Sequence, residues 1–184
     1  MIVEQINDDL YRLKEILPVP DLFRLVDEFD NYGLKLKKET HSDDSHLFQP
    51  FLGIEKSGGS LGDNMVLLHY GTVCRLKAES ILGKKLDMWR VNTNVQFRSQ
   101  EADFHQDGDD HSWTFLIFTT TTWNAKWGGE FSIRFRDGDY HSVPYLPNQG
   151  VLFRGSLEHR GCAPNVLAQE LRTSVAFTYD EVGG

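Results

Sequence analysis

The stretch MWRVNTNVQFR, residues 88 to 98, alternates apolar and polar side chains through most of its length. Period-two alternation is the mark of a strand whose two faces meet different surroundings. Trp89, Val91, Val95 and Phe97 fall on one side, and Arg90, Asn92, Asn94 and Gln96 on the other. The polar side has two readings: it meets water, or it lines a polar pocket inside a curled sheet. The rest of the chain bears on the choice.

From residue 88 onward the sequence is a series of short runs rich in Trp, Phe, Val, Ile and Thr, separated by turn residues such as DGD (137 to 139) and PNQG (147 to 150). Further candidate strands are ADFHQD, SWTFLIFTTT, EFSIRF, YHSV, GVLFR, LEHR and ELRTSVAFTY. Strands this closely spaced suit a sandwich or barrel. Upstream the texture differs. In PDLFRLVDEFDNY, Leu22, Leu25, Val26 and Phe29 repeat at helical spacing, with Asp21 placed to cap the first turn. LYRLKEIL alternates and runs into Pro18 and Pro20, which predicts a strand leading into that helix. TVCRLKAESILGKKL (72 to 86) predicts a second helix ending near Gly83. The expected fold is mainly β with N-terminal helices (α+β): a jelly roll over residues 88 to 180, with residues 1 to 87 as helical support in one 184-residue domain.

The composition is that of an ordinary globular chain, 40% hydrophobic and 25% charged, which excludes long disordered tracts and apolar spans. The net charge of -8 disfavours nucleic acid as a partner, since phosphate binding draws on clustered Lys and Arg. Cys74 and Cys162 are too few and too distant for a disulfide framework or a zinc ribbon, and free thiols are expected. The opening MIVEQINDDL lacks a basic segment followed by an apolar run, so a cytoplasmic location without membrane attachment is the expectation. KSGGSLGDN (56 to 64) has the composition of a flexible loop, with a lid over a site as its functional reading.

FHQDGDD (104 to 110) concentrates the candidate chemistry. In an extended segment His105 and Asp107 share a face, and one imidazole with one carboxylate suits a divalent metal of intermediate hardness. A calcium loop is excluded because the alternating ligands, the sixth-position glycine and the twelfth-position Glu are missing. A three-ligand site needs a second histidine from another strand. His159, after GVLFR, is the best candidate, while His69, His111 and His141 read as ordinary solvated or hydrogen-bonded residues. In LRTSVAF, Arg172 and Ser174 share a strand face opposite Leu171, Val175 and Phe177, which belong in a core. An arginine aimed inward needs an anion, and its planar fork fits a carboxylate; a structural ion pair is the plain alternative. Leu116, Phe118, Phe131 and Phe153 read as core, and Trp127 with Gly128 and Gly129 as a structural turn.

In order along the chain, HQD, WNAKWGGEF, LPNQGVLF, HRGCAPN and RTS resemble the iron(II) and 2-oxoglutarate dependent dioxygenases, most closely the prolyl 4-hydroxylase-like branch. The resemblance spans about residues 88 to 180, and more loosely 10 to 32. It implies a double-stranded β-helix (cupin-like) fold, with Fe(II) held by His105, Asp107 and His159. It also implies that 2-oxoglutarate is held at its distal carboxylate by Arg172 with Ser174, and that O2 is consumed, with ascorbate as an accessory reductant the family allows. Asn92 and Asn94 are candidates to hydrogen-bond the cosubstrate. The implied activity is hydroxylation of an organic substrate, a peptidyl proline among the peptide, protein and small-molecule acceptors, with decarboxylation of 2-oxoglutarate to succinate. The tyrosine usual upstream of H-x-D is not evident in VNTNVQFRSQEADF, and some members carry Lys where this chain has Arg172. Two other functions fit the same roll: a metal-dependent hydrolase with zinc-bound water, and a non-catalytic cupin-like binding module.

Overall fold

Residues 1 to 32, 36 to 38, 48 to 55 and 64 to 183 are described by the computed structural model. The chain opens with a hairpin of β1 (Ile2–Asn7) and β2 (Leu10–Lys14), followed by α1 (Val19–Tyr32), β3 (Leu36–Lys38), β4 (Phe48–Glu55) and α2 (Met65–Leu82). The β-rich half contributes β5 (Leu86–Gln96), β6 (Ser112–Phe118), β7 (Phe131–Arg134), β8 (Tyr140–Val143), β9 (Gln149–Arg154), β10 (Glu158–Gly161) and β11 (Arg172–Glu181). These strands form an eight-stranded sheet in the order β1-β2-β9-β6-β11-β5-β4-β3 and a three-stranded sheet in the order β10-β7-β8. All pairings are antiparallel. Two antiparallel sheets closing on each other make the jelly roll that the sequence predicts.

Strand alternation explains both layers. On β6, Trp113, Phe115 and Ile117 join Val175, Phe177 and Tyr179 of β11 in one cluster with Leu22 and Leu25 of α1 and Leu67, Tyr70, Cys74 and Ala78 of α2. The intervening residues, Leu116, Phe118 and Ala176, face the other way and pack with Phe131, Ile133, Val143, Tyr145, Val151 and Phe153 between the sheets. A fully buried Leu or Phe contributes about 1.5–3 kcal/mol, so each cluster supplies a large share of the folding energy. The helices thus serve as the outer wall of the large sheet, and the roll interior is left for the site.

The predicted helices are present with adjusted ends. α2 starts at Met65 rather than Thr72, because the Asn64 side chain accepts from the Leu67 amide and caps it, and it stops at Gly83 in the left-handed conformation (φ 67°). His69 therefore lies inside α2, not before it. Asp21 sits within the first turn of α1 instead of capping it, and its carboxylate accepts from the Tyr70 hydroxyl at 3.3 Å. The side chain of Phe29 lies outside the described residues, as does residue range 56 to 63 of the expected lid.

Three strand expectations change. ADFHQD is not a strand; it contributes one isolated bridge, His105 to His159. Phe97 lies past the end of β5 and is 44% exposed, and Leu171 lies before β11 and is 37% exposed, so neither joins the core. On β5 a register shift opposite Thr178 and Tyr179 pairs those residues with Arg90 and Met88 and leaves Trp89 as the extra residue of a bulge. In the N-terminal half the strand expected at LYRLKEIL is β2, and β1, β3 and β4 are additional; β4 is hard to read from sequence because Pro50 and Gly53 interrupt it.

Close approach of β9 to β6 requires glycine at position 150. A Cβ there would meet the Leu116 carbonyl oxygen at 1.8 Å, a backbone atom that cannot rotate away. Gly150→Ala should destabilise the fold by roughly 3 kcal/mol, about 10 °C in melting temperature. A thermal melt checks this, and an unchanged midpoint would mean that β9 does not pair with β6 as described.

Candidate metal centre and diacid pocket

The polar face of β5 turns inward. Antiparallel register sets Gln96 opposite Arg172, Asn94 opposite Ser174, Asn92 opposite Ala176 and Arg90 opposite Thr178. Residues two apart share a face, so Arg90, Asn92, Asn94 and Gln96 line the same side as Arg172, Ser174 and Ala176, and Ala176 belongs to the inter-sheet cluster. Arg172, Ser174, Gln96 and Thr178 are all buried. Of the two readings of the alternating strand, the fold realises the one in which the polar face turns to the interior.

At one end of this face stand His105, Asp107 and His159, each offering a ligand atom, with those atoms all within 4.8 Å of one another. Among the described residues this is the one cluster of three or more potential ligands. The histidines arrive on separate segments joined by reciprocal backbone bonds, His105 N–H to the His159 carbonyl at 3.0 Å and His159 N–H to the His105 carbonyl at 2.9 Å. The amides of Asp107 and Gly108 both donate to the Gly155 carbonyl, which fixes the second ligand segment on the turn between β9 and β10. Each imidazole places Nδ1 against a backbone carbonyl: His105 on Asp103 at 3.0 Å, and His159 on Leu157 at 2.9 Å. Donation there leaves the Nε2 lone pair free for a cation.

Asp107 is held from two sides. Arg90 Nη2 donates to its Oδ1 at 2.6 Å, and Thr114 Oγ1 donates to its Oδ2 at 2.8 Å. His159 Nε2 lies 3.5 Å from the same Oδ2. Burial alone would raise the Asp107 carboxyl, but His159, Arg90, His105 and the Thr114 hydroxyl together hold it below the usual carboxylate range. Burial pushes the His159 imidazole down to about 4, so it is neutral at pH 7 and fit to ligate. Arg90, a permanent cation, is one of the charges that hold Asp107 ionised. The acids that come next in the chain do other work: Asp109 accepts from the His111 amide and the Ser112 hydroxyl, and Asp110 pairs with Arg136 and Ser156 in a surface turn.

Further along the face, Arg172 is 2% exposed. Its Nε donates to the Gly129 carbonyl at 2.7 Å and its Nη1 to Gln96 Oε1 at 2.7 Å. The guanidinium carbon lies 4.8 Å from the Tyr145 ring centroid. Nη2 is buried without a hydrogen-bond partner, and Arg172 forms no ion pair among the described residues. A buried guanidinium with one unmatched edge can receive an anion, because the unmatched charge is costly until it is met.

Arg172, Ser174, Asn92 and Asn94 share the interior face of the large sheet, and the triad, carried by β10 and the chain bridged to it, meets that face through the Arg90–Asp107 bond. His69 packs edge-on to Tyr70 in α2, His111 is exposed, and His141 sits on β8 beside Phe135. Sequence reasoning does not single out Arg90, Gln96, Thr114 or the Gly129 carbonyl. The alternation of β5 points to Arg90 and Gln96, whereas Thr114 and Gly129 depend on contacts across the roll. The Gly128–Gly129 turn, with φ of 70° and 79°, is structural as expected and also presents the carbonyl that holds Arg172.

No family model matches this sequence, and comparison with curated proteins finds no match. Solved structures do match in fold. A Pseudomonas putida prolyl-4-hydroxylase aligns with a TM-score of 0.68 at 18% identity, over 94% of this chain and 92% of that one. An oxidoreductase of the 2OG-Fe(II) oxygenase family from Burkholderia pseudomallei aligns with a TM-score of 0.70 at 15% identity, over 94% and 85%. A prolyl hydroxylase from Trichoplax adhaerens, in complex with a hypoxia inducible factor oxygen degradation domain peptide fragment, aligns with a TM-score of 0.70 at 11% identity, over 95% and 84%. The fold is therefore the double-stranded β-helix of those oxygenases, present over nearly the whole chain. No helix among the described residues is long and apolar enough to cross a membrane.

Burial of a neutral His159 makes stability depend on pH. Its folded value of about 4 lies below the ordinary 6.5, so the unfolded chain binds the extra proton between these limits and stability is lost as pH falls through that window. The loss is roughly 3 kcal/mol at 1.36 kcal/mol per unit. Urea midpoints of the metal-free protein at pH 7 and pH 4.5 should show it, with a flatter response in His159→Gln; parallel responses would contradict the buried neutral imidazole.

Proposed function

We propose that this chain is an Fe(II) and 2-oxoglutarate dependent dioxygenase that hydroxylates an organic substrate. The observation that carries the reading is the buried, half-matched guanidinium of Arg172 on β11, whose partner strand β5 bears the Arg90 that bonds Asp107 of the His105, Asp107 and His159 cluster. Two imidazoles and a carboxylate on one side of an ion are the donor set of non-haem iron oxygenases, and they leave positions open for reactants. A dicarboxylic cosubstrate reaching from the ion to Arg172 explains both features at once. Iron and 2-oxoglutarate, when bound, supply the oxidation: the diacid is decarboxylated to succinate while an oxygen atom from O2 is inserted into a C–H bond of the acceptor.

The chain's own part is to bind, orient and exclude water. His105 Nε2, Asp107 and His159 Nε2 hold the ion; Arg172, fixed by Gln96 and Gly129, receives the distal carboxylate with the buried Ser174 hydroxyl beside it. Asn92 and Asn94 lie on the same strand face between Arg90 and Gln96, where an amide can donate to the cosubstrate's oxygens. Phe118, Phe131, Tyr145 and Phe153 make the walls apolar, which strengthens each of these charged contacts. Acceptors that suit the net charge of -8 are peptides, proteins and small molecules rather than nucleic acid, and a peptidyl proline is one of them. The free thiols of Cys74 and Cys162 suit the cytoplasm. A zinc hydrolase would use the same three ligands but gives Arg172 no task, and a metal-free binding module gives none to the triad.

Anaerobic addition of Fe(II) and 2-oxoglutarate should produce a weak metal-to-ligand charge-transfer band in the visible, greatly diminished in Arg172→Met at equal cosubstrate concentration. A hydrolase or a sugar-binding roll would give no band. Asn94→Ala should raise the Michaelis constant for 2-oxoglutarate several-fold with little change in kcat; an unchanged constant removes Asn94 from the pocket.

A further inference from the structure

We infer that Arg90 is a positioning residue that makes Asp107 a one-oxygen ligand and so sets how many positions on the ion remain open; the role rests on the proposed metal site. The two oxygens of Asp107 have different surroundings. Oδ2 faces His159 Nε2 at 3.5 Å, on the side of the ligand cluster, whereas Oδ1 is taken by Arg90 Nη2 at 2.6 Å. Both partners are largely shielded, with side-chain exposures of 16% and 10%, so water does not readily replace this bond.

Arg90 is itself fixed. Its guanidinium lies over the Trp89 ring, 4.8 Å from the centroid. The surroundings of Asn92 orient its amide so that the oxygen accepts from Arg90 Nε at 3.3 Å and the nitrogen donates to the Val91 carbonyl at 3.1 Å. Regular alternation from Asn92 keeps Arg90 on the interior face, opposite Thr178, just before the bulge that makes Trp89 the extra residue. The carboxylate plane is thus clamped by Arg90 on one oxygen, Thr114 on the other, and the Asp107 amide bonded to Gly155 behind it.

A carboxylate turning both oxygens to the ion would fill two of six octahedral positions, and with two imidazoles would leave two. A chelating diacid takes both, and dioxygen then has nowhere to bind. With Oδ1 held by Arg90, Asp107 fills one position and three stay open. Arg90 acts through Asp107 and touches neither cosubstrate nor acceptor in this scheme, which separates its role from that of Arg172.

Cobalt(II) is the probe, because its visible d–d bands report coordination number without turnover. Anaerobic titration of wild type, Arg90→Met and Arg90→Lys with Co(II), by calorimetry and absorption, is followed by 2-oxoglutarate; circular dichroism reports folding. Arg90→Met should bind Co(II) roughly 10- to 100-fold more weakly than wild type, the usual cost of losing an outer partner of a ligand, with altered d–d bands. Arg90→Lys, which keeps one charged donor, should recover most of the affinity and the wild-type bands. If Arg90→Met does not fold, Arg90→Gln is read in the same way. Wild-type affinity and bands in a folded Arg90→Met would overturn the role of Arg90 while leaving the metal reading intact. A wild type that takes up no Co(II) would overturn both.

Discussion

Antiparallel pairing of β5 with β11 is the constraint on which the site depends, since one register places four polar residues of the first strand opposite Arg172, Ser174, Ala176 and Thr178 of the second. A slip of one residue would turn Arg90, Asn92, Asn94 and Gln96 toward the helices and bring Val91 and Val95 into the pocket. The register is secured by the packing on the other face. Val91, Val175, Phe177 and Tyr179 are buried against α2, and the Tyr179 hydroxyl donates to the Gly71 carbonyl at 2.8 Å. Apolar packing outside the large sheet therefore fixes polar geometry inside it.

Inside the roll the charges are distributed unequally. Arg90 and Asp107 neutralise each other at 2.6 Å, and the buried His159 brings no charge at pH 7. Arg172 is different: its hydrogen bonds go to an amide oxygen and a backbone carbonyl, and it makes no ion pair with a carboxylate among the described residues. Leaving a cation so placed costs stability in the empty protein, and that cost is relieved by an incoming anion.

The segments that bear the triad are not all regular structure. His159 sits on β10, while His105 and Asp107 sit on irregular chain tied to it by backbone bonds to His159 and Gly155. Ligands drawn from a strand and a pinned loop can converge on one ion where adjacent residues of a single strand could not. The same pinning separates Asp107 from Asp109 and Asp110, which face solvent-side partners instead.

Much of the site is legible in the sequence. Period-two alternation in residues 88 to 98 announces a two-faced strand, HQD and the later His159 mark the residues that the fold brings within ligand distance of one another, and an arginine with a serine two residues on marks a shared buried face of β11. These signals are local: they depend on residue type and on spacing along an extended chain. The strand expected at ADFHQD fails for the complementary reason, because pairing needs a neighbour, and only the bridge to His159 is available. Of the N-terminal strands, β2 is read from the alternation of LYRLKEIL, whereas β1 is a largely exposed edge and β4 is interrupted by Pro and Gly. By itself the sequence marked which residues are candidates for chemistry and, for most strand positions, which face is apolar. Only the tertiary structure decided that the polar face of β5 lines the interior, that Arg90 belongs to Asp107 and Gln96 to Arg172, and that one guanidinium nitrogen is left without a partner, since each of these depends on distances between segments far apart in the chain.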